Sequence, residues 1–302
     1  MKYQPLVSII MNCYNGEEYL DESLKSIINQ SYQNWELIFW DNLSTDNSKK
    51  IFEKYKDERF KYFRAQEHSV LYQARNLAIQ KTNGDVIAFL DTDDVWLSAK
   101  LEKQIPLFSD PEVGLVYGNC WLLNESNIFK KRKIFSKKKL PIGTTTKALL
   151  EDYKVGLLTI MIRKNFIENI KNVFNVNYDL LADFDFVIRF SFKFKFNCIQ
   201  EPIAIYRKHN KQLQRKLFSN QIDQLEKWFL DNLETLNSYS TDNLKNIKNK
   251  IQYMKILKLI NQRKYLKSFF EIIKYPLGIK KLKLIVIFIV PDFILQYYRD
   301  YT

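Results

Sequence analysis

The stretch VIAFLDTDDVW, residues 86–96, places three carboxylates within four positions at the end of an apolar run. Asp91, Asp93 and Asp94 repel one another, so a fold that gathers them must bring up a compensating positive charge. The run before them has strand length. If it is a buried strand of a parallel sheet, the acids stand at its carboxyl end, where ligands bind in open α/β sheets. Asp oxygens there suit Mg²⁺ or Mn²⁺, which complete their coordination with water and substrate phosphates. The plainer alternative is a solvated turn, or carboxylates that cap the next helix.

The flanking sequence supports the parallel sheet. VSIIM (7–11), ELIFW (36–40), FKYF (60–63) and VGLVY (113–117) are further strand-length runs. Between them, Leu20, Leu24, Ile27 and Ile28 line one helical face, and Leu71, Ala74, Leu77 and Ala78 line another. Ser44-Thr45-Asp46-Asn47 offers cap residues for a further helix. Strands alternating with helices predict an α/β, Rossmann-like, mainly parallel sheet flanked by helices. Polar clusters follow three of the strands: Asn12 to Gly16, Asp41 to Ser44, and Asp91 to Asp94. All three are expected to converge on one crevice. Further on, LLTIMIRK (157–164) reads as a strand and DFDFVIRFSF (183–192) as a helix. IQEPIAIYRKHN (199–210) reads as an edge strand running into a loop, and residues 124–140 as an exposed loop or hairpin.

Composition narrows the class. The chain has 302 residues, 46% hydrophobic and 15% aromatic, enough for a substantial core and against overall disorder. Cys13, Cys120 and Cys198 are odd in number and widely spaced, which fits a reducing compartment. The N-terminal segment lacks the apolar core of a signal peptide. A cytoplasmic location is expected. The net charge of +13 is uneven, since residues 244–302 hold 13 Lys and Arg against Glu271, Asp292 and Asp300. These residues are also apolar and aromatic, but their longest uncharged run, Leu284 to Pro291, is far below the ~20 residues a spanning helix needs. A basic amphipathic tail of this kind can lie on an anionic membrane surface. The rival is a helical cap whose lysines are merely solvated. No nucleic-acid partner is expected, because no recognition motif accompanies the charge.

Two enzyme classes fit the acidic run by itself. LDTDDV matches the entry motif of haloacid-dehalogenase-like phosphohydrolases, with Asp91 as nucleophile. That motif normally opens its domain, whereas here two βα units precede it. A dinucleotide-binding reading fails for want of GxGxxG.

VSIIMNCYNGEEYLDESLKSIINQSYQNWELIFWDNLSTDNS, followed by ARNLAIQKTNGDVIAFLDTDD, resembles the nucleotide-binding half of family-2 glycosyltransferases of the bacterial surface-polysaccharide type, which have the GT-A fold. The resemblance covers roughly residues 5–210. It implies inverting transfer of a sugar from a nucleoside-diphosphate sugar to an acceptor hydroxyl, with Mg²⁺ or Mn²⁺ as cofactor. A glycan or lipid-linked oligosaccharide is the implied acceptor, worked on at the inner face of the cell membrane. It places Asn12 and Tyr14 against the nucleotide, Asp41 at the base edge, Arg75 near the diphosphate, Asp91 towards the ribose or sugar and Asp93 on the metal, with Asp94 as a further carboxylate. Asn42 stands where a second Asp is common.

LADFDFVIRF resembles the family's EDxDxxxR segment, with Ala182 in place of Glu, and YRKH (206–209) its YRxH loop. Asp183 is thereby implied as general base, and Arg207 and His209 as neighbours of the leaving diphosphate. Asp185, four residues before Arg189, is expected to be taken by an i,i+4 ion pair. If a helix opens here, Asp183 is its cap, and capping alone is the competing role. A non-catalytic binding module on the same fold is the other class. The expected organisation is a GT-A domain over 1–212, with a nucleotide half to about 120 and an acceptor half from about 121, then a helical basic and apolar extension over 213–302.

Overall fold

The computed structural model describes residues 4–125, 132–168, 170, 172–178, 180–209, 218–237 and 241–290. The first strands are β1 (Val7–Cys13), β2 (Trp35–Asp41), β3 (Phe60–Arg64) and β4 (Val86–Phe89), and they pair in parallel in the order β3-β2-β1-β4. Every residue of β1, β2 and β4 is buried, as expected where helices cover both faces of a parallel sheet. The crossovers carry α1 (Leu20–Ile28), α2 (Ser48–Phe52) and α3 (Leu71–Ile79). Helix α1 buries Leu20, Leu24 and Ile27 against the sheet. Helix α3 turns polar groups inward as well, since Tyr72, Arg75 and Asn76 are all buried.

Beyond β4 the sheet becomes mixed. The short β5 (Val95–Trp96) precedes α4 (Lys100–Gln104), then β6 (Val113–Asn124) and β7 (Arg132–Ile134), which form an antiparallel hairpin where the sequence predicts one. Part of the predicted hairpin, residues 126–131, lies outside the described residues. Helix α5 (Thr146–Glu151) leads to β8 (Met161–Arg163), α6 (Ala182–Ser191) and β9 (Lys195–Lys208). The sheet continues β4-β8-β6-β9-β5, with β8 antiparallel to both neighbours and β9 parallel to β6. LLTIMIRK is thus a strand over three residues only, after one tight helical turn. The edge-strand expectation for 199–210 is corrected. Strand β9 is paired with β6 along its length and with β5 at Ala204–Ile205, so it lies between two strands of the sheet.

Under this sheet Glu36 is nearly buried and accepts hydrogen bonds from Ser8 Oγ (2.6 Å), Lys61 Nζ (2.5 Å) and the Asn83 backbone N–H (2.6 Å). Burial pushes its carboxyl up, but Lys61, Ser8 and Asn83 outweigh it and hold the pKa down to about 2, from 4.5. A depressed carboxylate stabilises the fold above pH 4.5, and that contribution is lost as pH falls towards 2. It amounts to ~2 kcal/mol once solvent around the half-exposed Lys61 is allowed for. Glu36→Gln is expected to lower stability at pH 7 by that order and to flatten acid unfolding between pH 4.5 and 2. An unchanged acid-unfolding curve would remove this role.

The chain divides into two compact units, with the later break after Lys208. The second unit is helical: α7 (Phe218–Asp231), α8 (Leu233–Asn237), α9 (Thr241–Asn261), α10 (Tyr265–Lys274) and α11 (Ile279–Ile289). Lys255–Glu226 (2.5 Å) and Lys258–Asp223 (3.0 Å) tie α9 to α7. Ile256, Ile260, Ile272, Tyr275 and Leu284 bury one another where α9, α10 and α11 meet. Among the described residues no helix is long and apolar enough to cross a membrane. The predicted tail beyond Val290 lies outside them.

Candidate active site

Three loops at the carboxyl ends of β1, β2 and β4 come together, as the sequence predicts. Gly16 shows how tightly: a β-carbon there would stand 2.9 Å from Thr92 Oγ1 and 3.2 Å from Cys13 Sγ. The loop after β1 is stitched to the loop after β2 by Asn15 N–H to Ser44 Oγ (3.0 Å) and Thr45 N–H to Asn15 Oδ1 (2.8 Å). Asn12, at the end of β1, is 7% exposed, and neither its Oδ1 nor its Nδ2 has a hydrogen-bond partner. A buried amide left so costs folding energy unless something else completes it. Tyr14 is 55% exposed, its ring centroid 4.3 Å from that of His68. Tyr14 is therefore not a buried structural aromatic.

Asp41 is fully buried. Its Oδ1 accepts Ser44 N–H (2.7 Å), and its Oδ2 accepts Tyr62 Oη–H (2.5 Å) and pairs with Arg64 (3.2 Å). Asn42 holds the next loop, donating from Nδ2 to Ser69 O (2.7 Å) and accepting from Ser69 N–H (3.2 Å). Leu43 takes φ +68° between them. That backbone is uncommon for a side-chain residue and is held here by the bonds on either side.

The acidic turn has two guanidinium braces. Arg75, buried on α3, reaches Asp91 Oδ1 at 2.5 Å. Burial works against its charge, yet Asp91, with Tyr72 and Asp183 nearby, raises the Arg75 pKa. Arg207 on β9 is 5% exposed; its Nε–H donates to Asp93 O (2.9 Å), its backbone N–H to Asp94 Oδ1 (3.0 Å), and its two terminal nitrogens pair with Glu22 and Glu125. Ser23 Oγ on α1 adds bonds to Thr92 O and Asp94 O, both 2.7 Å. Asp94 is buried. That burial, then the charges of Asp93 and Asp91, push its pKa well above the usual carboxylate range. Asp91 and Asp93 are partly open to solvent.

Helix α6 delivers two more acids. Its first residue is Ala182 and Leu181 is the cap position, so the expected Asp183 cap is corrected by two positions: Asp183 is the second residue of the first turn, accepting Phe184 N–H at 2.8 Å. Burial raises the Asp183 pKa against the opposing pull of that N–H, Arg75 and the Tyr72 hydroxyl, and the Asp91 charge raises it further. Asp183 thus shares the Arg75 field with Asp91. Asp185 is buried and paired with Arg189 Nε at 2.8 Å, the i,i+4 bridge expected from spacing. Asn76 ties α3 to the segment before α6: its amide donates to Phe174 O (2.8 Å) and accepts Phe174 N–H (2.9 Å).

Two tyrosines near Asp183 carry no motif and are invisible to sequence reasoning. Tyr72 is buried beside it, under the Arg75 guanidinium (5.0 Å to the ring centre). Tyr153 meets Phe184 edge-on at 4.9 Å, and its buried hydroxyl has no hydrogen-bond partner. His209 follows β9 and groups with the second unit.

Comparison with known proteins gives the family and the fold. The family model for glycosyl transferase family 2 matches residues 8–170. The chain is 34% identical over 162 residues (54% of this chain, 62% of the relative) to the UDP-Glc:alpha-D-GlcNAc-diphosphoundecaprenol beta-1,3-glucosyltransferase WfgD of Escherichia coli. It is 32% identical over 162 residues (53% and 63%) to the putative teichuronic acid biosynthesis glycosyltransferase TuaG of Bacillus subtilis. Each match spans less than two thirds of the relative's length. Among solved structures, S. aureus TarS 1–349 with UDP-GlcNAc superposes with TM-score 0.59 at 15% identity (82% of this chain, 81% of that one). The mannosyltransferase PcManGT from Pyrobaculum calidifontis with GDP-Man and Mn²⁺ gives 0.60 at 15% (94% and 79%). The phosphohydrolase alternative for Asp91 gives way to this match. With a GT-A-like sheet, converging loops after its parallel strands and a family model that covers more than half its length, the chain belongs to glycosyltransferase family 2.

Proposed function

We propose that the protein is an inverting glycosyltransferase that moves a sugar from a nucleoside-diphosphate sugar to a hydroxyl of a lipid-linked glycan, in assembly of a cell-surface polysaccharide. The reading includes work as a cytoplasmic, peripheral protein at the inner face of the membrane, with residues 1–212 as the transferase domain and 213–302 as its extension. The observation that carries it is the buried Arg75 paired with Asp91 at 2.5 Å, where its charge also counters the burial of the Asp183 carboxyl. The names of the curated relatives, with diphosphoundecaprenol and teichuronic acid in them, support the acceptor class.

In this reading Asn12 completes its unpartnered amide on the nucleotide, and exposed Tyr14 stacks on the base. Asp41 shapes the nucleotide loop through Ser44. Arg75 holds the diphosphate end of the donor beside Asp91. Arg207 keeps the turn in place, and the role of His209 rests on the YRxH resemblance alone. Asp183 takes the proton of the acceptor hydroxyl as that oxygen attacks the anomeric carbon opposite the diphosphate. Tyr153, with its free hydroxyl, binds the acceptor next to it.

A divalent cation fits the donor set. Asp91 and Asp93 are hard-oxygen groups open to solvent on a braced turn, while Asp94 is committed to the Arg207 N–H. Among the described residues no group of three or more Asp, Glu, His or Cys could hold an ion alone. That suits Mg²⁺ or Mn²⁺, which need only one or two carboxylates beside phosphate oxygens. Asp93 would hold the ion, which when bound neutralises charge on the departing diphosphate.

Nucleotide-sugars screened for thermal stabilisation with and without Mn²⁺, then for transfer, test the reading. One donor should stabilise the protein in a Mn²⁺-dependent way and give a product of inverted anomeric configuration by NMR. Retained configuration would sink the mechanism, and donor binding with no turnover on any acceptor or water would favour a binding module.

A further inference from the structure

The second unit presents an apolar surface that its own core does not use. Helix α10 turns Ser268 and Ile272 inward and leaves Leu266, Phe269, Phe270 and Ile273 exposed. Helix α11 turns Leu284 inward and leaves Ile279, Leu282, Val286 and Ile289 outward, a stripe at helical spacing. Leu277, in the turn between them, is 93% exposed and precedes Gly278, whose φ of +145° a side-chain residue rarely adopts. Tyr265 and Phe269 meet Phe288 at 6.1 and 6.3 Å, joining the start of α10 to the end of α11 as an antiparallel hairpin. Monomeric proteins seldom leave so continuous an apolar face in water.

Charge selects the partner. Residues 264–289 hold six lysines against Glu271 alone. Lys264, Lys267, Lys274, Lys280 and Lys283 are exposed beside the apolar stripes. Lys281 instead donates to Ile273 O (2.7 Å) and Tyr275 O (2.8 Å) and closes the end of α10. A second copy of this face would bring like charges together. Nucleic acid would leave the aliphatic side chains unused. A surface that offers both an apolar interior and negative headgroups fits both features at once, and helices this short lie in that interface rather than cross it.

We propose that the α10–α11 hairpin is a lipid-docking wedge, seating Leu277 and the two outward stripes among the acyl chains of an anionic leaflet while the flanking lysines reach the headgroups. This deepens the peripheral-membrane part of the function proposed above and rests on that part alone. The wedge holds the enzyme where a lipid-linked acceptor is presented.

The test is flotation of the full chain with phosphatidylcholine vesicles, with and without phosphatidylglycerol. Wild type should float only with phosphatidylglycerol. A Leu277→Asp/Phe270→Asp variant should bind on the order of 100-fold more weakly, from lost apolar insertion. Changing Lys267, Lys274, Lys280 and Lys283 to Gln should cost a similar factor through lost headgroup attraction. Melting temperature and Mn²⁺-dependent donor stabilisation without vesicles should match wild type in both, which separates failure of the wedge from failure of the transferase reading. The wedge is overturned if wild type does not float, if neutral vesicles serve equally, if either variant floats as well as wild type, or if wild type is a dimer that Leu277→Asp dissociates.

Discussion

Asp183→Asn is expected to lower turnover by at least ~10²-fold while leaving donor binding and folding close to wild type. The carboxylate is the group proposed to accept the hydroxyl proton, and an amide cannot do so. Its one short backbone bond, Phe184 N–H to Oδ1, survives the change. Stability should not fall. Because the folded pKa of Asp183 is raised, ionising it costs folding energy, and that cost grows as pH rises from 3.8 through the folded value. The Asn variant never incurs it, so at neutral pH it should melt at or above the wild-type temperature. The rate profile checks the assignment independently. The acid limb should report a carboxylate titrating above its ordinary range, and Tyr72→Phe should move that limb further up, since the Tyr72 hydroxyl favours the ionised form. Near-normal turnover in Asp183→Asn would remove it as base. Loss confined to Asp185→Asn, in a folded protein, would point two residues on.

A comparable effect is expected at Asp93. Asp93→Ala should abolish metal-stimulated transfer, a loss of ~10²-fold or more, because the proposed ion neutralises charge that develops only as the diphosphate leaves. The turn should persist. Arg207 Nε–H bonds the Asp93 carbonyl rather than its side chain, and Ser23 holds the carbonyls on either side. Removing Asp93 also removes a negative charge that raises the Asp94 pKa, so the melting temperature should hold or rise. Transfer within a few-fold of wild type, with unchanged Mn²⁺ response, would show that Asp93 does not hold the ion.

The parallel half of the sheet was legible because its strands are continuous apolar runs and its helices repeat at 3.6 residues, both local signals. The Asp185–Arg189 bridge was legible for the same reason, a four-residue spacing on one helix. What escaped depends on distant partners. Strand β9 reads as an edge because Glu201 and Pro202 interrupt it, yet β6 covers it. The motif marks Arg207 as a neighbour of the diphosphate, but nothing local shows that Glu22, 185 residues earlier, and Glu125 close on it. Tyr72 and Tyr153 look like core aromatics; only the tertiary structure brings their hydroxyls towards Asp183. The cap of α6 was placed two positions late, at Asp183 instead of Leu181, because a helix start is set by hydrogen bonding that residue type signals only within a residue or two.

The bond from Arg207 N–H to Asp94 Oδ1 joins residues 113 positions apart. Strands β1, β2 and β3 pair at short separation, Val7 with Trp35 and Leu37 with Phe60, and can assemble early on an emerging chain, whereas contacts of such long separation form late. Until β9 docks, the acidic turn has Arg75 alone as a guanidinium brace, on Asp91, and Asp93 and Asp94 lack the bonds from Arg207. The donor crevice and the chemistry it serves therefore mature at different times. A nascent chain that has made β1 to β4 has the turn held by Arg75 and Ser23 only, so the last strand of the sheet completes its bracing.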